Sequence, residues 1–278
     1  MTNSDALGAA QTHAYLADDA YLADDVYMAD DVVPAPALEL VDVPRDDGRA
    51  ARVPAIDWPE FGWALDRAAK RALDIVVSAT VLLAFLPVML VAALLVVLDS
   101  PGPVLYRCER VGFRGRRLNM LKFRKMREGA SGLSLTVDGD HRFTRLGAFL
   151  ARTKLDEVPQ LVNVLRGDMS LVGPRPEDPR FVEACGIEYD EILRVRPGIT
   201  GYSQLAFAEE SRILDPEDPL AHYLDRVLPQ KVALDRMYAE HRTLLTDLRV
   251  LFWTVMTVVL RRPVAVHRAT GRMSIRRR

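Results

Sequence analysis

Cysteine is scarce in this sequence. Cys108 and Cys185 are the only two cysteines among 278 residues. Neither belongs to a C-x-x-C pair, and no cluster of histidines accompanies them. Structural zinc sites and disulfide frameworks depend on such groupings. We therefore expect two ordinary thiols in a reducing compartment, with neither a zinc site nor a disulfide.

The sequence also lacks several catalytic motifs. It contains no G-x-x-x-x-G-K-[ST] loop, no G-x-G-x-x-G after a strand and no G-x-S-x-G elbow. These absences disfavour P-loop ATPases, dinucleotide enzymes and α/β-hydrolases. The N-terminus is acidic where a secretory signal needs a basic start followed by an apolar core, so we expect no such signal.

The net charge of −1 hides an uneven distribution. Residues 1–47 carry eleven acidic residues against Arg45 alone, which leaves +9 for the remainder. Within this part, residues 14–31 repeat a six-residue unit three times. We predict a disordered acidic tail over 1–57, either simply solvated or acting as an arm that contacts a basic surface. The basic remainder suits phosphates, nucleotides or lipid headgroups.

One long segment, residues 75–98, carries no charge. As a helix it would extend about 36 Å, against about 30 Å for the apolar layer of a bilayer. Pro87 in its middle should kink or break that helix. Basic residues flank both ends, although positive charge marks the cytoplasmic side. We therefore predict a membrane-anchoring re-entrant helix in 58–103 that turns at Pro87 and leaves on the face it entered.

Two points weigh against the re-entrant prediction. A break at Pro87 frees a backbone carbonyl, which needs a polar partner inside a membrane. The only hydroxyls of the run, Ser78 and Thr80, lie well before the proline. The alternative is a full membrane span, which would place the N-terminal tail outside the cell.

Residues 104–262 have the mixed pattern of a small soluble α/β domain. Short strands are predicted on either side of a turn at Gly112–Gly115, and residues 145–155 read as a helix with a basic face. Pro229 could open a further helix that runs as far as Leu260. Its part near 248–260 is apolar and closed by arginines, so we predict an amphipathic helix at the membrane interface, with a core helix as the alternative. Residues 263–278 are predicted to be a basic C-terminal tail.

The chemistry is expected at the adjacent carboxylates Asp156 and Glu157. Arg152 and Lys154 lie within about one helical turn of this dyad. A carboxylate among cations stays ionised, and it can then bind a divalent metal or act as a nucleophile. Taken alone, such a pair is more often simply salt-bridged.

Basic elements elsewhere in the chain give the dyad a context. Arg175 stands between two prolines, which limits its orientation and suits a bidentate grip on phosphate. Arg196 precedes a Pro-Gly turn. A third element contains the cations Lys122, Arg124 and Lys125. Transfer between two phosphates requires cations around the reacting group, so we expect these elements to converge on the dyad.

The ordered motifs of this chain resemble those of the bacterial sugar transferases, the polyprenyl-phosphate hexose-1-phosphate transferases also called monotopic phosphoglycosyl transferases. The resemblance extends from about residue 67 to residue 262. The segments that carry it are Lys70-Arg-Ala-Leu-Asp74, Asp99-Ser-Pro-Gly-Pro103, Arg107-Cys-Glu-Arg-Val-Gly112, Lys122-Phe-Arg-Lys-Met126, Thr144-Arg-Leu-Gly147, Leu155-Asp-Glu-Val-Pro-Gln-Leu-Val-Asn163, Gly167-Asp-Met-Ser-Leu-Val-Gly-Pro-Arg-Pro176 and Arg196-Pro-Gly-Ile-Thr-Gly201.

The resemblance implies a reaction. Asp156 would attack the β-phosphate of a nucleotide diphosphate sugar, with a UDP-sugar expected, and the phosphosugar-aspartate would then pass its sugar phosphate to polyprenyl (undecaprenyl) phosphate. This step would initiate exopolysaccharide, capsule, O-antigen or glycoconjugate synthesis. Glu157 would help to hold Mg²⁺, with Mn²⁺ as an alternative, or activate the acceptor. Substrate phosphate would be bound by residues that the same motifs supply: Lys122, Arg124, Arg152, Gln160, Asn163 and Arg175.

The resemblance also implies a setting. The fold class is α/β: a small cytoplasmic domain on a Pro-broken re-entrant helix, with amphipathic interface helices, at the bacterial inner membrane. Membrane lipids are expected partners, a homo-oligomer is an option, and nucleic acid is not expected. The family has Ser-Pro at the membrane break where this chain has Leu86-Pro87. An alternative function is a catalytically inert membrane-anchored assembly or regulatory protein. Residues 205–230 are a candidate for substrate shaping, and the sugar itself is not predicted.

Overall fold

The computed structural model of the protein describes residues 60–130, 132, 135–268 and 270–276. The predicted acidic tail over 1–57 lies outside these residues. The helices and strands, in chain order, are α1 (Glu60–Asp99), β1 (Leu105–Val111), β2 (Arg117–Phe123), α2 (Arg145–Thr153), α3 (Gln160–Arg166), β3 (Ser170–Val172), α4 (Pro179–Cys185), α5 (Ile187–Ile192), β4 (Gly198–Thr200), α6 (Tyr202–Ala206), α7 (Glu210–Ile213), α8 (Pro219–His222), α9 (Leu228–His241), α10 (Leu244–Val258), β5 (Val264–Val266) and β6 (Met273–Ile275).

Helix α1 contains 40 residues, with Pro87 inside it. It is long and apolar enough to cross a membrane, and only 11% of its most apolar 18-residue stretch is buried against the rest of the protein. The helix is not interrupted at Pro87, because a proline removes a single backbone donor and the hydrogen bonds on either side can continue. The side chains nearest the proline, at 83–88, are all exposed.

The first half of α1 is fixed to the domain by charged side chains. Lys70 Nζ donates to the carbonyl of Val172 at 3.0 Å and pairs with Asp247 at 2.5 Å. Asp74 is buried and accepts from the Ser170 hydroxyl at 3.1 Å. Arg71 donates to two carbonyls at the end of α3. The basic segment before the apolar run therefore fixes α1 to the domain through hydrogen bonds and an ion pair.

The second half of α1 contacts the same domain. Ala92 and Val96 are buried against Phe123 of β2 and Leu150 of α2. The guanidinium of Arg124 closes the C-terminal end of the helix, donating to the carbonyls of Ser100 and Pro101 at 2.5 Å each and to that of Val96 at 3.4 Å. Both halves of α1 thus pack on one body, while the middle of the helix packs on nothing that the structure describes.

The strands form three two-stranded sheets within the described residues. β1 and β2 are an antiparallel hairpin that pairs Leu105 with Phe123. β3 and β4 are parallel and pair Ser170 with Gly198. The segments that flank these two strands also lie in contact. A Cβ atom at Gly198 would collide with the backbone of Gly173. Glycine is required there because the two backbones touch.

The helix predicted from Pro229 to Leu260 is in fact two helices. α9 ends at His241, Arg242 is extended, and the Thr243 side chain accepts from the backbone N–H of Thr246 to begin α10. A threonine cap satisfies donors that a new helix leaves unpaired, which explains the restart. The exposed face of α10 carries large apolar side chains, namely Leu245, Leu248, Phe252, Val255 and Val258.

The predicted basic tail over 263–278 also needs a correction. Its described part contains the antiparallel pair β5–β6, and Val264 and Val266 are buried in the main core with Tyr202. Gly271 lies directly against the Tyr202 hydroxyl. Three apolar residues are too few to show the alternation that predicts a strand. The arginines around them are typical of a basic tail, so the sequence did not predict the hairpin.

Candidate active site

The dyad lies on a tight turn that follows α2. Lys154 adopts a left-handed conformation with φ 59° and ends the helix. A single 3₁₀ turn over Leu155–Glu157 then carries both carboxylates. The turn packs against β2 and α2, and Asp156 is 2% exposed. A short turn braced by two elements fixes the direction of both carboxylates.

Asp156 has one paired and one unpaired oxygen. Its Oδ2 lies 3.4 Å from Nζ of Lys125. Its Oδ1 is buried and has no hydrogen-bond partner among the described residues. An unpaired buried carboxylate oxygen is costly, and such costs are typical of functional sites. This oxygen is the candidate nucleophile or metal ligand of the site.

Glu157 is held by two cations. Its Oε1 lies 3.0 Å from Nζ of Lys122 and 3.4 Å from Nη2 of Arg175. Burial alone would raise the pKa of the Glu157 carboxyl. The charges of Lys122 and Arg175, with a further contribution from Lys154, outweigh burial and hold that pKa well below its usual value. Glu157 is therefore ionised at neutral pH.

The two cations respond differently to burial. Burial lowers the pKa of Lys122, and Glu157 only partly opposes this. Burial would also lower the pKa of Arg175, but Glu157, Glu210 and Glu177 reverse the effect and raise it. Arg175 thus remains a fixed positive charge next to the dyad, since a guanidinium keeps its proton in proteins.

Pairing of β3 with β4 explains why Arg175 reaches the dyad. The N–H of Gly173 donates to the Thr200 carbonyl at 2.9 Å, and the N–H of Gly198 donates to the Pro174 carbonyl at 2.8 Å. The Gly173–Pro176 loop is held from behind by these bonds. Lys122, Lys125 and Arg175, which come from sequence-distant segments, therefore surround one acidic turn.

Two predicted basic residues do not join them. Arg124 points away to the end of α1, as described above. Nε of Arg196 donates to the Gly167 carbonyl at 2.9 Å, and its guanidinium lies 5.5 Å from the centre of the Phe113 ring. Both guanidinium groups are used for structure, because each satisfies backbone carbonyls or an aromatic face within the domain.

The remaining predicted residues differ in their surroundings. Arg152 is exposed at the end of α2 and forms no ion pair within the described chain. Gln160 is 2% exposed, and its Nε2 has no partner there either. Asn163 is fully used by β2: its Oδ1 accepts from the N–H of Leu121 and its Nδ2 donates to the Asn119 carbonyl. Arg152 is thus open to a substrate, Gln160 keeps an unpaired but buried donor, and Asn163 holds β2 in place.

The sequence did not predict a buried polar network whose charges act on Arg175. Glu177 Oε1 lies 2.9 Å from Nζ of Lys231 and accepts from the Tyr223 hydroxyl at 3.0 Å. Lys231 also pairs with Glu210 at 3.0 Å. Tyr223 begins a π-helical turn, a feature often found at functional sites. The one available signal was the location of Glu210 and Tyr223 in the 205–230 segment that we set aside for substrate shaping.

Asp235 in the same region is titratable near neutral pH. Burial raises its pKa to about 7, against about 3.9 for an unfolded chain. Between these values the unfolded state loses the proton and the folded state keeps it, so stability falls as pH rises from about 4 to about 7.

We expect Asp235→Asn to remove this loss. The variant should match the parent protein near pH 4 and be more stable at pH 8 by up to a few kcal/mol. Thermal unfolding in detergent at both pH values measures the difference, with the exposed Asp225→Asn as the matched control. An equal effect at both pH values would contradict the assignment.

The site also fits a divalent metal in one respect. The described residues hold no group of three or more His, Cys, Asp or Glu side chains that could enclose an ion. Mg²⁺, however, commonly binds through one or two carboxylates together with substrate phosphates. The unpaired Oδ1 of Asp156 is a suitable ligand for such an ion, and Glu157 is its neighbour.

Cations around an acidic turn are the arrangement that phosphoryl transfer requires, and the same domain carries a helix long and apolar enough to cross a membrane. The chain belongs to the bacterial sugar transferase family, because the sequence profile of that family matches residues 65–261. The predicted family is therefore confirmed, and with it the activity class, a phosphoglycosyl transferase.

Relatives extend the match. The exopolysaccharide production protein PSS of Rhizobium leguminosarum bv. phaseoli is 39% identical over 207 residues, covering 71% of this chain and 98% of that protein. The UDP-glucose:undecaprenyl-phosphate glucose-1-phosphate transferase of Escherichia coli is 36% identical over 213 residues, or 73% of this chain and 42% of the relative. An N-acetylgalactosaminephosphotransferase of Aeromonas hydrophila, named for UDP-N-acetylgalactosamine and undecaprenyl phosphate, is 36% identical over 68% of this chain and 43% of its own length. Apart from the Rhizobium protein, the chain thus spans less than half the length of these relatives.

Proposed function

We propose that this protein transfers a sugar 1-phosphate from a nucleotide diphosphate sugar, in the first instance a UDP-sugar, to polyprenyl phosphate. The observation that carries the proposal is the unpaired, buried Oδ1 of Asp156 among Lys122, Lys125 and Arg175. Relatives named for UDP-sugars and undecaprenyl phosphate support this choice of substrates.

In the first step, Oδ1 of Asp156 attacks the β-phosphorus of the nucleotide sugar. A bond forms between Oδ1 and phosphorus, the bond from phosphorus to the oxygen shared with the α-phosphate breaks, and the nucleoside monophosphate leaves with that oxygen. In the second step, an oxygen of the lipid phosphate attacks the same phosphorus. The bond to Oδ1 breaks, and the Asp156 carboxylate is regenerated. Covalent catalysis of this kind divides one difficult transfer into two easier ones.

The surrounding side chains have distinct roles in this proposal. Lys125 holds Oδ2 and thereby turns Oδ1 towards the substrate. Arg175 and Lys122 neutralise charge that develops on the phosphoryl oxygens, and Glu157 keeps both cations in position. Arg152, exposed and unpaired at the end of α2, is the group that meets the second phosphate. Fixed cations of this kind stabilise a transition state without having to reorganise.

Mg²⁺ would be held by Asp156 and Glu157 together with the diphosphate, and Mn²⁺ could replace it. When bound, the ion offsets the repulsion between a carboxylate nucleophile and an anionic diphosphate. Lys125, Lys122 and Arg175 supply the protein's own share of that neutralisation.

For the membrane segment we propose a re-entrant arrangement at the cytoplasmic face of the bacterial inner membrane, in which α1 bends at Pro87 while its backbone stays helical. Support comes from the two halves of α1, which pack on the same domain through Asp74 and Val96, while the residues around Pro87 are exposed. The apolar face of α10 supplies a second surface for the interface. In this proposed arrangement the dyad would lie near the level of the lipid headgroups, where the phosphate of the lipid acceptor is found.

A topology measurement tests this arrangement. A single cysteine placed before Trp58, in a chain whose own two cysteines are replaced, should be protected from a membrane-impermeant thiol reagent in intact cells. It should react after the cells are opened. Labelling in intact cells would favour the full span and place the N-terminal tail outside.

The proposed reaction is tested most directly without the lipid acceptor. Purified protein in nanodiscs is mixed with each of a panel of nucleotide sugars, and the nucleoside monophosphate released is measured. We expect a burst of up to one equivalent per enzyme with the correct sugar, followed by turnover once polyprenyl phosphate is added. Absence of release with every sugar, with and without acceptor, would rule the proposal out.

A further inference from the structure

A groove opens where α1 leaves its uncharged segment. It has two connected parts, of about 540 Å³ and about 480 Å³, which share Asp99 and Arg145 in their walls. We call this feature the loading groove and define it by Leu95, Leu98, Asp99, Arg127, Arg145 and Leu146. It lies on the side of α2 opposite to the end that carries the dyad.

One part of the loading groove is polar and contains two exposed arginines. Neither Arg127 nor Arg145 forms an ion pair with another described residue. The acidic side chain nearest to them in sequence, Glu128, lies against Gly102 together with the guanidinium of Arg124. Its charge therefore already has a cationic neighbour. Asp99 and Glu128 both line this part, so two carboxylates stand against the guanidinium groups of Arg124, Arg127 and Arg145, and positive charge is in excess.

The other part is apolar and continues the lipid-facing surface of α1. Leu95 is 43% exposed and Leu98 is 72% exposed, and Leu146 of α2 completes this wall. Exposed leucines at the end of a membrane helix lie where hydrocarbon is available to cover them. A ligand that fills both parts must therefore carry an anionic group directly attached to a hydrocarbon chain.

We propose that the loading groove binds the acceptor of the transfer reaction, a long-chain lipid phosphate monoester, before it reaches the dyad. The inference rests on the proposed function. Arg127 and Arg145 grip the phosphate, and the leucines contact the first part of the chain. A monoester offers up to two negative charges and three terminal oxygens, which suits two guanidinium groups. A diester phospholipid offers one charge and two such oxygens, and free phosphate has no chain for the apolar wall.

Helix α2 connects the loading groove with the dyad. Arg145, Phe149 and Arg152 follow one another at intervals of four and three residues, so they share one face of the helix, and all three are exposed. The helix contains nine residues and is therefore about 13 Å long. Arg145 marks the loading position at its start, and Arg152 marks the reacting position at its end, four residues before Asp156. In this proposal the lipid phosphate passes along a short helix face that has an arginine at each end.

The test separates the two half-reactions. In nanodiscs, the double variant Arg127→Gln/Arg145→Gln should raise the KM for polyprenyl phosphate roughly tenfold or more. The burst of nucleoside monophosphate without acceptor should stay unchanged. A second variant, Leu98→Ser/Leu146→Ser, should raise the KM for a long-chain acceptor and leave that for a short-chain, water-soluble prenyl phosphate unchanged. Arg226→Gln, an exposed arginine remote in sequence from both α1 and α2, is the matched control and should behave as the parent protein.

The outcomes are distinct. An unchanged acceptor KM in the arginine variant would overturn the loading groove while the burst still supports the proposed function. An increase in KM that disappears when phosphatidylglycerol is left out of the nanodisc would assign the arginines to bulk anionic lipid and also overturn it. Absence of a burst in the parent protein would remove the proposed function, and the loading groove with it. Because all four substituted side chains are partly or wholly exposed, thermal unfolding should show that both variants fold normally.

Discussion

Asp156→Asn is expected to abolish transfer, with a loss of at least about 10³-fold in rate. The amide has nearly the shape of the carboxylate but neither its charge nor its nucleophilicity. It therefore cannot form the bond to phosphorus that Oδ1 makes in our proposal. The measurement is the amount of radiolabelled sugar phosphate trapped on denatured protein, together with the burst of nucleoside monophosphate. Both should be absent in the variant.

Asp168→Asn is the matched control, because it makes the same chemical change on an exposed carboxylate just beyond α3. It should retain the burst and the trapped intermediate. Since the paired oxygen of Asp156 would also lose its charge in the test variant, its thermal unfolding should be measured alongside. Normal turnover in a folded Asp156→Asn protein would contradict the covalent mechanism.

Removal of divalent metal is the second change with a large expected effect. Excess chelator should lower the rate by more than about 10²-fold, because the negative charge of the diphosphate would then face the carboxylate nucleophile without the ion that offsets it. The described chain supplies no enclosing cluster of ligands, so the ion should exchange freely, and the loss should be complete within minutes.

Addition of Mg²⁺ beyond the chelator should restore the rate, and Mn²⁺ should restore at least part of it. A chelator saturated with Mg²⁺ before mixing is the control, since it excludes inhibition by the chelator itself. Full activity in excess chelator would remove the metal from the account and leave Lys122, Lys125 and Arg175 as the only source of neutralisation.

Part of the site was predictable because it is local in sequence. The dyad and its two neighbouring cations fall within six residues, so Asp156 and Glu157 could be proposed without a fold. Arg175 could be proposed as well, since two flanking prolines restrict its backbone whatever surrounds it. In each case the relevant physics acts over a few bonds.

Arg124 shows where such reasoning stops. It lies between Lys122 and Lys125, and nothing in the sequence separates the three cations. In the structure, Lys122 and Lys125 reach the dyad, whereas Arg124 closes the end of α1. Alternation along a strand would put Lys122 and Arg124, which are two residues apart, on the same face. Strand β2 ends at Phe123, however, so Arg124 lies outside it, and its guanidinium turns to the end of α1. The end of the strand and the position of α1 therefore decide which cation is structural.

The sequence by itself determined that this chain carries an apolar segment long enough to cross a membrane and that it belongs to the sugar transferases. It also predicted that the chemistry lies at an acidic pair among basic residues. Apolar length and local motifs suffice for these conclusions. The tertiary structure decided that Lys125 pairs with Asp156, that Arg175 pairs with Glu157, and that Lys231 pairs with Glu177, whose charge helps to raise the pKa of Arg175. These contacts join residues that are up to 54 positions apart. The first pair depends on the packing of β2 against the turn of the dyad, and the others depend on the pairing of β3 with β4 and on the position of α9. No local propensity encodes that arrangement.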